Sequence, residues 1–258
     1  MTFPAKKSLG QNFLTHPGTL KKIIATAELT PNDHVIEIGP GHGVLTAELA
    51  IHASSITAIE LDDRLIRELE EKFEEQRNID IRHMDALNFT PPSTPYKLVA
   101  NIPYYITSPL LNHFLREQPA NRRPITLTLL VQKEVAQKIC AKPGDLNVLA
   151  LQVQLFGKPK LVATVPPSHF KPRPTVDSAI LHIERHESAV SDSEIPKLFK
   201  LIHAGFAHKR KKLIRNLETV AKPASLKKAF VNLELDPNTR AEQLSLIEWG
   251  SLFRALTH

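Results

Sequence analysis

Val35-Ile36-Glu37-Ile38-Gly39-Pro40-Gly41-His42-Gly43 is a short apolar run followed by glycine at every second position. The run reads as a buried strand, and residues 45–52 beyond it carry apolar side chains at helical spacing. A glycine-rich turn from strand to helix lies where a parallel sheet binds ligands, at the carboxyl ends of its strands. The spacing is Gly-x-Gly-x-Gly and not Gly-x-Gly-x-x-Gly, so the turn does not reproduce a pyrophosphate cradle.

Working outward, residues 19–28 have helical periodicity and Thr30-Pro31-Asn32-Asp33 breaks the chain ahead of the strand. Downstream, strands are expected over 55–61, 79–83 and 97–100, with a charged amphipathic helix over 64–75. Strands alternating with helices predict a parallel sheet covered on both faces, an α/β Rossmann-like domain. The pattern continues with a helix over 108–116, a strand over 125–131 and helices over 133–140 and 149–155. A strand pair follows over 161–165 and 178–184. The polar stretch 186–192 reads as a linker, and beyond it only helices are expected, over 193–203, 209–217, 224–231 and 245–258. The expected organisation is an α/β domain over 1–186 and a small helical domain over 187–258, the latter short for independent stability.

With 42% hydrophobic and 23% charged residues, the chain of 258 residues has the composition of an ordinary globular protein. No apolar run approaches the roughly 20 residues that cross a bilayer, and Met1-Thr2-Phe3-Pro4-Ala5-Lys6-Lys7 lacks the apolar stretch of a secretory signal. One cysteine, Cys140, forms no internal disulfide, so a cytoplasmic location and no membrane are expected. Twelve histidines invite a metal reading, but a lone cysteine offers no Cys-x-x-Cys pair and no metal is expected. The net charge of +6 favours a polyanionic partner.

Two acids extend the glycine turn into a site. Glu60 ends the second expected strand, where a carboxylate accepts from both hydroxyls of a ribose; Leu61 follows it. Asp85, with Ala86, follows the third strand and is placed to accept from an adenine amine. Together with Gly39 and Gly41 they describe a nucleoside-containing cofactor without a pyrophosphate, for which S-adenosylmethionine is the commonest choice. After the fourth strand comes Asn101-Ile102-Pro103-Tyr104. An exocyclic adenine nitrogen is a weak nucleophile because its lone pair is delocalised into the ring. Acceptors for its two protons draw it toward tetrahedral geometry; the Asn101 side-chain oxygen and the carbonyl of Ile102 or Pro103 can serve, with Pro103 aiming the backbone. Tyr104 can stack on a base taken out of its helix or loop.

These residues resemble the KsgA (RsmA, Dim-type) ribosomal RNA adenine dimethyltransferases almost end to end. Lys7-Ser8-Leu9-Gly10-Gln11-Asn12-Phe13-Leu14 is similar to the family's amino-terminal motif, residues 37–43 to its cofactor loop, Ile59-Glu60-Leu61-Asp62 to its ribose motif and residues 101–104 to its catalytic tetrad. Val131-Gln132-Lys133-Glu134-Val135 and the long run from Val165-Pro166-Pro167-Ser168-His169-Phe170 to Asp177-Ser178 complete the set. The resemblance implies a class I methyltransferase fold with a carboxyl-terminal helical domain. It implies cofactor contacts from Asn12 and Leu14, and Phe170 opposite Tyr104 on the target base. It also implies four methyl transfers to two adjacent adenosines near the 3′ end of small-subunit (16S) rRNA, within an immature 30S particle during ribosome biogenesis, by a monomer. Residues 205–217 resemble the signature of the helical domain, where Lys209, Arg210, Lys211, Lys212 and Arg215 on a cationic helix would grip phosphates. Erm-type large-subunit (23S) rRNA adenine methyltransferases share the tetrad and are the nearest rival. An assembly or RNA-binding factor without chemistry is a rival from another class, disfavoured by the intact Glu60, Asp85 and Asn101.

Overall fold

The computed structural model describes residues 5–6 and 9–257. Lys7 and Ser8 of the amino-terminal motif lie outside the described residues. The chain divides into two compact units, Met1–Ala136 with Lys158–Arg185, and Gln137–Gly157 with His186–His258.

In chain order the elements up to the middle of the sheet are β1 (Phe13–Leu14), α1 (Pro17–Ala27), β2 (His34–Ile38), α2 (Val44–His52), β3 (Ser55–Glu60), α3 (Asp63–Lys72), β4 (Ile79–His83) and β5 (Lys97–Asn101). Next come α4 (Thr107–Leu111), β6 (Thr126–Gln132), α5 (Lys133–Ile139), α6 (Val148–Phe156), β7 (Gly157–Val165), β8 (Phe170–Lys171) and β9 (Ser178–Arg185). Four helices follow among the described residues: α7 (Ile195–Phe206), α8 (Leu213–Leu217), α9 (Pro223–Asn232) and α10 (Leu246–Thr257).

Among the described residues, seven strands form one sheet in the order β4-β3-β2-β5-β6-β9-β7. From β4 to β6 neighbouring strands are parallel, and β9 lies antiparallel to β6. The central strands are nearly unbroken apolar runs because both faces of a parallel sheet are covered. Ile36, Leu98, Val99, Leu127 and Leu129 are fully buried. After β4 the chain returns to the far side of β2 to lay down β5. That reversal opens a crevice between the carboxyl ends of β2 and β5, where such sheets hold ligands. The α/β Rossmann-like reading holds, and the strand boundaries agree with the sequence to within about two residues, except β7, which starts earlier, at Gly157.

Three local features differ from the sequence reading. The helix expected over 108–116 is α-helical only through Leu111 and then widens into a π-helical turn, Asn112–Glu117. The wider turn brings His113 inward, its Nε2 2.7 Å from the Phe89 carbonyl oxygen. Second, β1 and β8 pair into a two-stranded antiparallel ribbon, Leu14 opposite Phe170, too short to have a periodicity in sequence. Third, residues 209–212 are not helical; α8 begins at Leu213. The buried Asn216 Nδ2 donates to the carbonyls of Gly205 (2.6 Å) and His208 (3.1 Å), closing the end of α7 and holding the basic run as a turn.

In the second unit α6 is apolar on nearly every side, with Leu151, Val153, Leu155 and Phe156 buried. Trp249, fully buried, lies against Gly205, where an added Cβ would sit 2.4 Å from the indole ring. Only a glycine admits that approach.

Candidate active site

The crevice at the carboxyl ends of β2 and β5 is a cavity that gathers most of the residues singled out in the sequence. Asn12, Gly39, Gly41, Glu60, Leu61, Asp85, Ala86, Asn101, Pro103 and Tyr104 all line it. The turn after β2 is built by left-handed glycines, with φ of 68° at Gly39 and 60° at Gly41. An added Cβ on Gly39 would stand 3.8 Å from the Asn101 carbonyl oxygen, so the glycine turn and the tetrad face each other closely. On Gly41 it would meet the Phe13 ring at 2.9 Å.

Glu60 is buried and fastened by backbone amides. Its Oε1 accepts from Leu61 and Asp62, both at 2.9 Å, and its Oε2 accepts from Gly41 at 3.1 Å. Burial pushes its carboxyl up while these amides pull it back. The carboxylate still borders the cavity. Asp85 caps a short 3-10 turn, Oδ1 accepting from Leu87 N at 2.9 Å. The capping role uses Oδ1, and the carboxylate also borders the cavity.

Asn101 closes β5, and its Nδ2 donates to the Asn12 carbonyl oxygen at 3.0 Å. Because the partner is an acceptor, the amide orientation is fixed and Oδ1 is the end left to accept. The Pro103 carbonyl accepts from Ile106 N at 3.2 Å. Tyr104 is half-buried, and its hydroxyl meets Ser178 Oγ at 2.6 Å. Burial pushes the phenol up, offset by the Ser178 bond, so the ring stays neutral.

Leu14 and Phe170 are not brought to the cavity. Both are buried, 7% and 3% exposed, in the core with Leu20, Ile23 and Val165. In this arrangement Phe170 packs against hydrophobic side chains and presents no face to a base. The run Val165–Ser178 reaches the site instead through Ser178, quoted in the sequence only as the end of a motif and given no role of its own. Gln11 and Asp62 were likewise quoted within motifs without a role. Gln11 Nε2 donates to Asp62 Oδ2 at 2.9 Å, mooring the amino-terminal segment beside β3. The Arg64 guanidinium holds the Asp62 carboxyl well below the usual range, against burial and helped by Gln11. No periodicity announces a contact 51 residues apart in sequence.

Glu37, behind the glycine turn, is 1% exposed, and its Oε2 has no hydrogen-bond partner. Burial pushes its carboxyl up to about 8.

Lys209, Arg210, Lys211 and Lys212 are exposed on the turn before α8. Arg215 lies on α8 and pairs with Glu218 at 3.0 Å. His182 and His186 are four residues apart in sequence, but β9 runs through Arg185 and a strand does not bring such a pair together. No helix among the described residues is long and apolar enough to cross a membrane.

The acceptors fit a nucleoside at one end of the cavity, and the tetrad fits an amine at the other. The family model described as "Ribosomal RNA adenine dimethylase" matches residues 2–258. The chain is 45% identical to "Ribosomal RNA small subunit methyltransferase A" of Dehalococcoides mccartyi, over 97% of this chain and 88% of that protein. It is 40% identical to the protein of the same name from Enterococcus faecalis, over 98% and 91%. Among solved structures, a dimethyladenosine transferase from Plasmodium falciparum superposes with a TM-score of 0.80 at 27% identity, covering 93% of this chain and 95% of that one. The 23S rRNA methyltransferase ErmE superposes with a TM-score of 0.76 at 29% identity, covering 96% and 100%. The chain belongs to the ribosomal RNA adenine dimethylase family, as an S-adenosylmethionine-dependent enzyme whose substrate is adenine in rRNA.

Proposed function

We propose that this chain dimethylates two adjacent adenosines near the 3′ end of small-subunit rRNA, within an immature small subunit, in the cytoplasm and as a monomer. The observation that carries the chemistry is the fixed amide of Asn101, whose nitrogen is held by the Asn12 carbonyl. The small-subunit address rests on near-full-length likeness to relatives named for that subunit.

S-adenosylmethionine, when bound, supplies a methyl group on a positively charged sulfur. Glu60 and Asp85 hold its ribose hydroxyls and adenine amine, with Asn12, Gly39, Gly41, Leu61 and Ala86 forming the surrounding wall. Asn101 Oδ1 accepts a hydrogen bond from one N–H of the target amine. The Ile102 carbonyl accepts from the other N–H, since the Pro103 carbonyl already serves Ile106. Both acceptors localise the nitrogen lone pair, and the rigid backbone at Pro103 fixes them before the substrate arrives. Tyr104, held by Ser178, stacks on the extruded base. Phe170 joins it as a second face only when β8 moves away from β1. Leu14 supports the wall from the core. Lys209, Arg210, Lys211, Lys212 and Arg215 hold RNA phosphates, which set position and not sequence.

The test is transfer of labelled methyl groups to unmethylated small subunits, large subunits, naked rRNA and DNA in parallel. Label is expected on the small subunit, and Asn101→Ala is expected to bind cofactor by calorimetry and transfer none. Label on the large subunit alone assigns the chain to the activity named for ErmE. Full transfer by Asn101→Ala removes the proposed role of that amide.

A further inference from the structure

The second unit contains a cavity of about 490 Å³ far from the residues of the tetrad in sequence and not used by the chemistry above. Lys197 and Lys200, one turn apart on α7, line one wall. Lys222 and Ser225 line another, and Val220 and Phe253 give it an apolar floor. Among the described residues, no acidic residue lines this cavity, and α7 itself has no Asp or Glu. Like charges around one cavity repel, and an anion between them relieves that cost.

A second observation points the same way. Lys222 is the N-cap of α9, a helix of ten residues, and makes no side-chain cap. The amides of the first turn lack helical acceptors, and the helix dipole is positive at that end. A cation at an uncapped N-terminus is unfavourable until an anion joins it. The apolar floor, with Val220 39% exposed, adds a surface for a sugar or base.

We propose that this cavity binds the sugar–phosphate backbone of the RNA substrate, with phosphates between Lys197, Lys200 and Lys222 and a nucleoside against the exposed Val220. The contact is separate from the basic turn at 209–212 and carries no sequence information. It rests on the reading that the chain methylates small-subunit rRNA.

The experiment compares wild type, the triple variant Lys197→Ala/Lys200→Ala/Lys222→Ala, and a control, Lys227→Ala/Lys228→Ala, whose exposed lysines lie on α9 outside the cavity lining. Affinity for unmethylated small subunits and for naked small-subunit rRNA is measured across salt concentration, with cofactor binding as the check on folding. The triple variant is expected to bind both about tenfold more weakly at low salt, with a salt slope smaller by about 2. Lysine acetylation mapped by mass spectrometry is expected to show Lys197, Lys200 and Lys222 protected by naked rRNA, and Lys227 and Lys228 unprotected. An unchanged slope, an equal effect of the control pair or no protection overturns the proposal. Loss of affinity for the particle with none for naked rRNA assigns the cavity to a ribosomal protein and also overturns it. Wild type that places no label on small subunits would instead defeat the underlying reading, whatever the cavity variants do.

Discussion

At the residue scale, the site depends on side chains whose orientation is set by something other than the substrate. Asn101 is aimed by the Asn12 carbonyl and Tyr104 by Ser178. Glu60 is fastened by three amides. Glu37 is the exception, buried with an unpartnered oxygen and a carboxyl pushed to about 8. Between its ordinary value of 4.5 and about 8, the folded chain keeps a proton that the unfolded chain has released. The stability contributed by this group is therefore complete below its ordinary value and falls as pH rises through about 8. Between about pH 5 and about pH 8, urea unfolding is expected to show the stability of wild type falling relative to that of the isosteric Glu37→Gln variant. A difference between the two proteins that does not change with pH would take Glu37 out of the account.

At the element scale, one lysine ties α1 to the edge of the sheet opposite the site. Lys97 at the start of β5 is nearly buried, and its Nζ donates to the carbonyls of Ala27 (3.3 Å) and Glu28 (2.6 Å) at the end of α1. It also pairs with Asp33 at 3.1 Å. Asp33 is accordingly held low despite burial, by the Thr30 amide and by Lys97. Lys97→Met keeps the length of the side chain but leaves Asp33 and two carbonyls without their cation. A loss of about 3–5 kcal/mol in unfolding free energy is expected. A change below about 1 kcal/mol would make the cluster a surface pair in effect. The long elements were legible because apolar residues at period 2 or 3.6 mark a buried face. The ribbon of β1 and β8, the π-helical turn and the basic turn were not. Each is set by a partner distant in sequence: Leu14 for Phe170, Phe89 for His113, and Gly205 for Asn216.

At the scale of the whole molecule, the basic residues of the second unit include the turn at 209–212 and the lysines of the cavity beside α9. If the turn holds phosphates, replacing Lys209, Arg210, Lys211 and Lys212 with alanine lowers the salt slope of rRNA binding by about 3. An unchanged slope would make the turn a solvated surface. Composition pointed to a polyanion, and the motif run pointed to rRNA, but neither could say where the charges meet a concave surface. The sequence by itself determined the α/β class, the glycine turn, the acids after β3 and β4 and the tetrad after β5, because each is local to one strand end. Only the tertiary structure decided that Phe170 lies in the core while Ser178 holds Tyr104, and that Asn12 aims Asn101. It also brought three lysines from two helices around one cavity. Those outcomes depend on which distant segments pack together, and a buried side chain takes its partner from packing and hydrogen-bond satisfaction that no local pattern records.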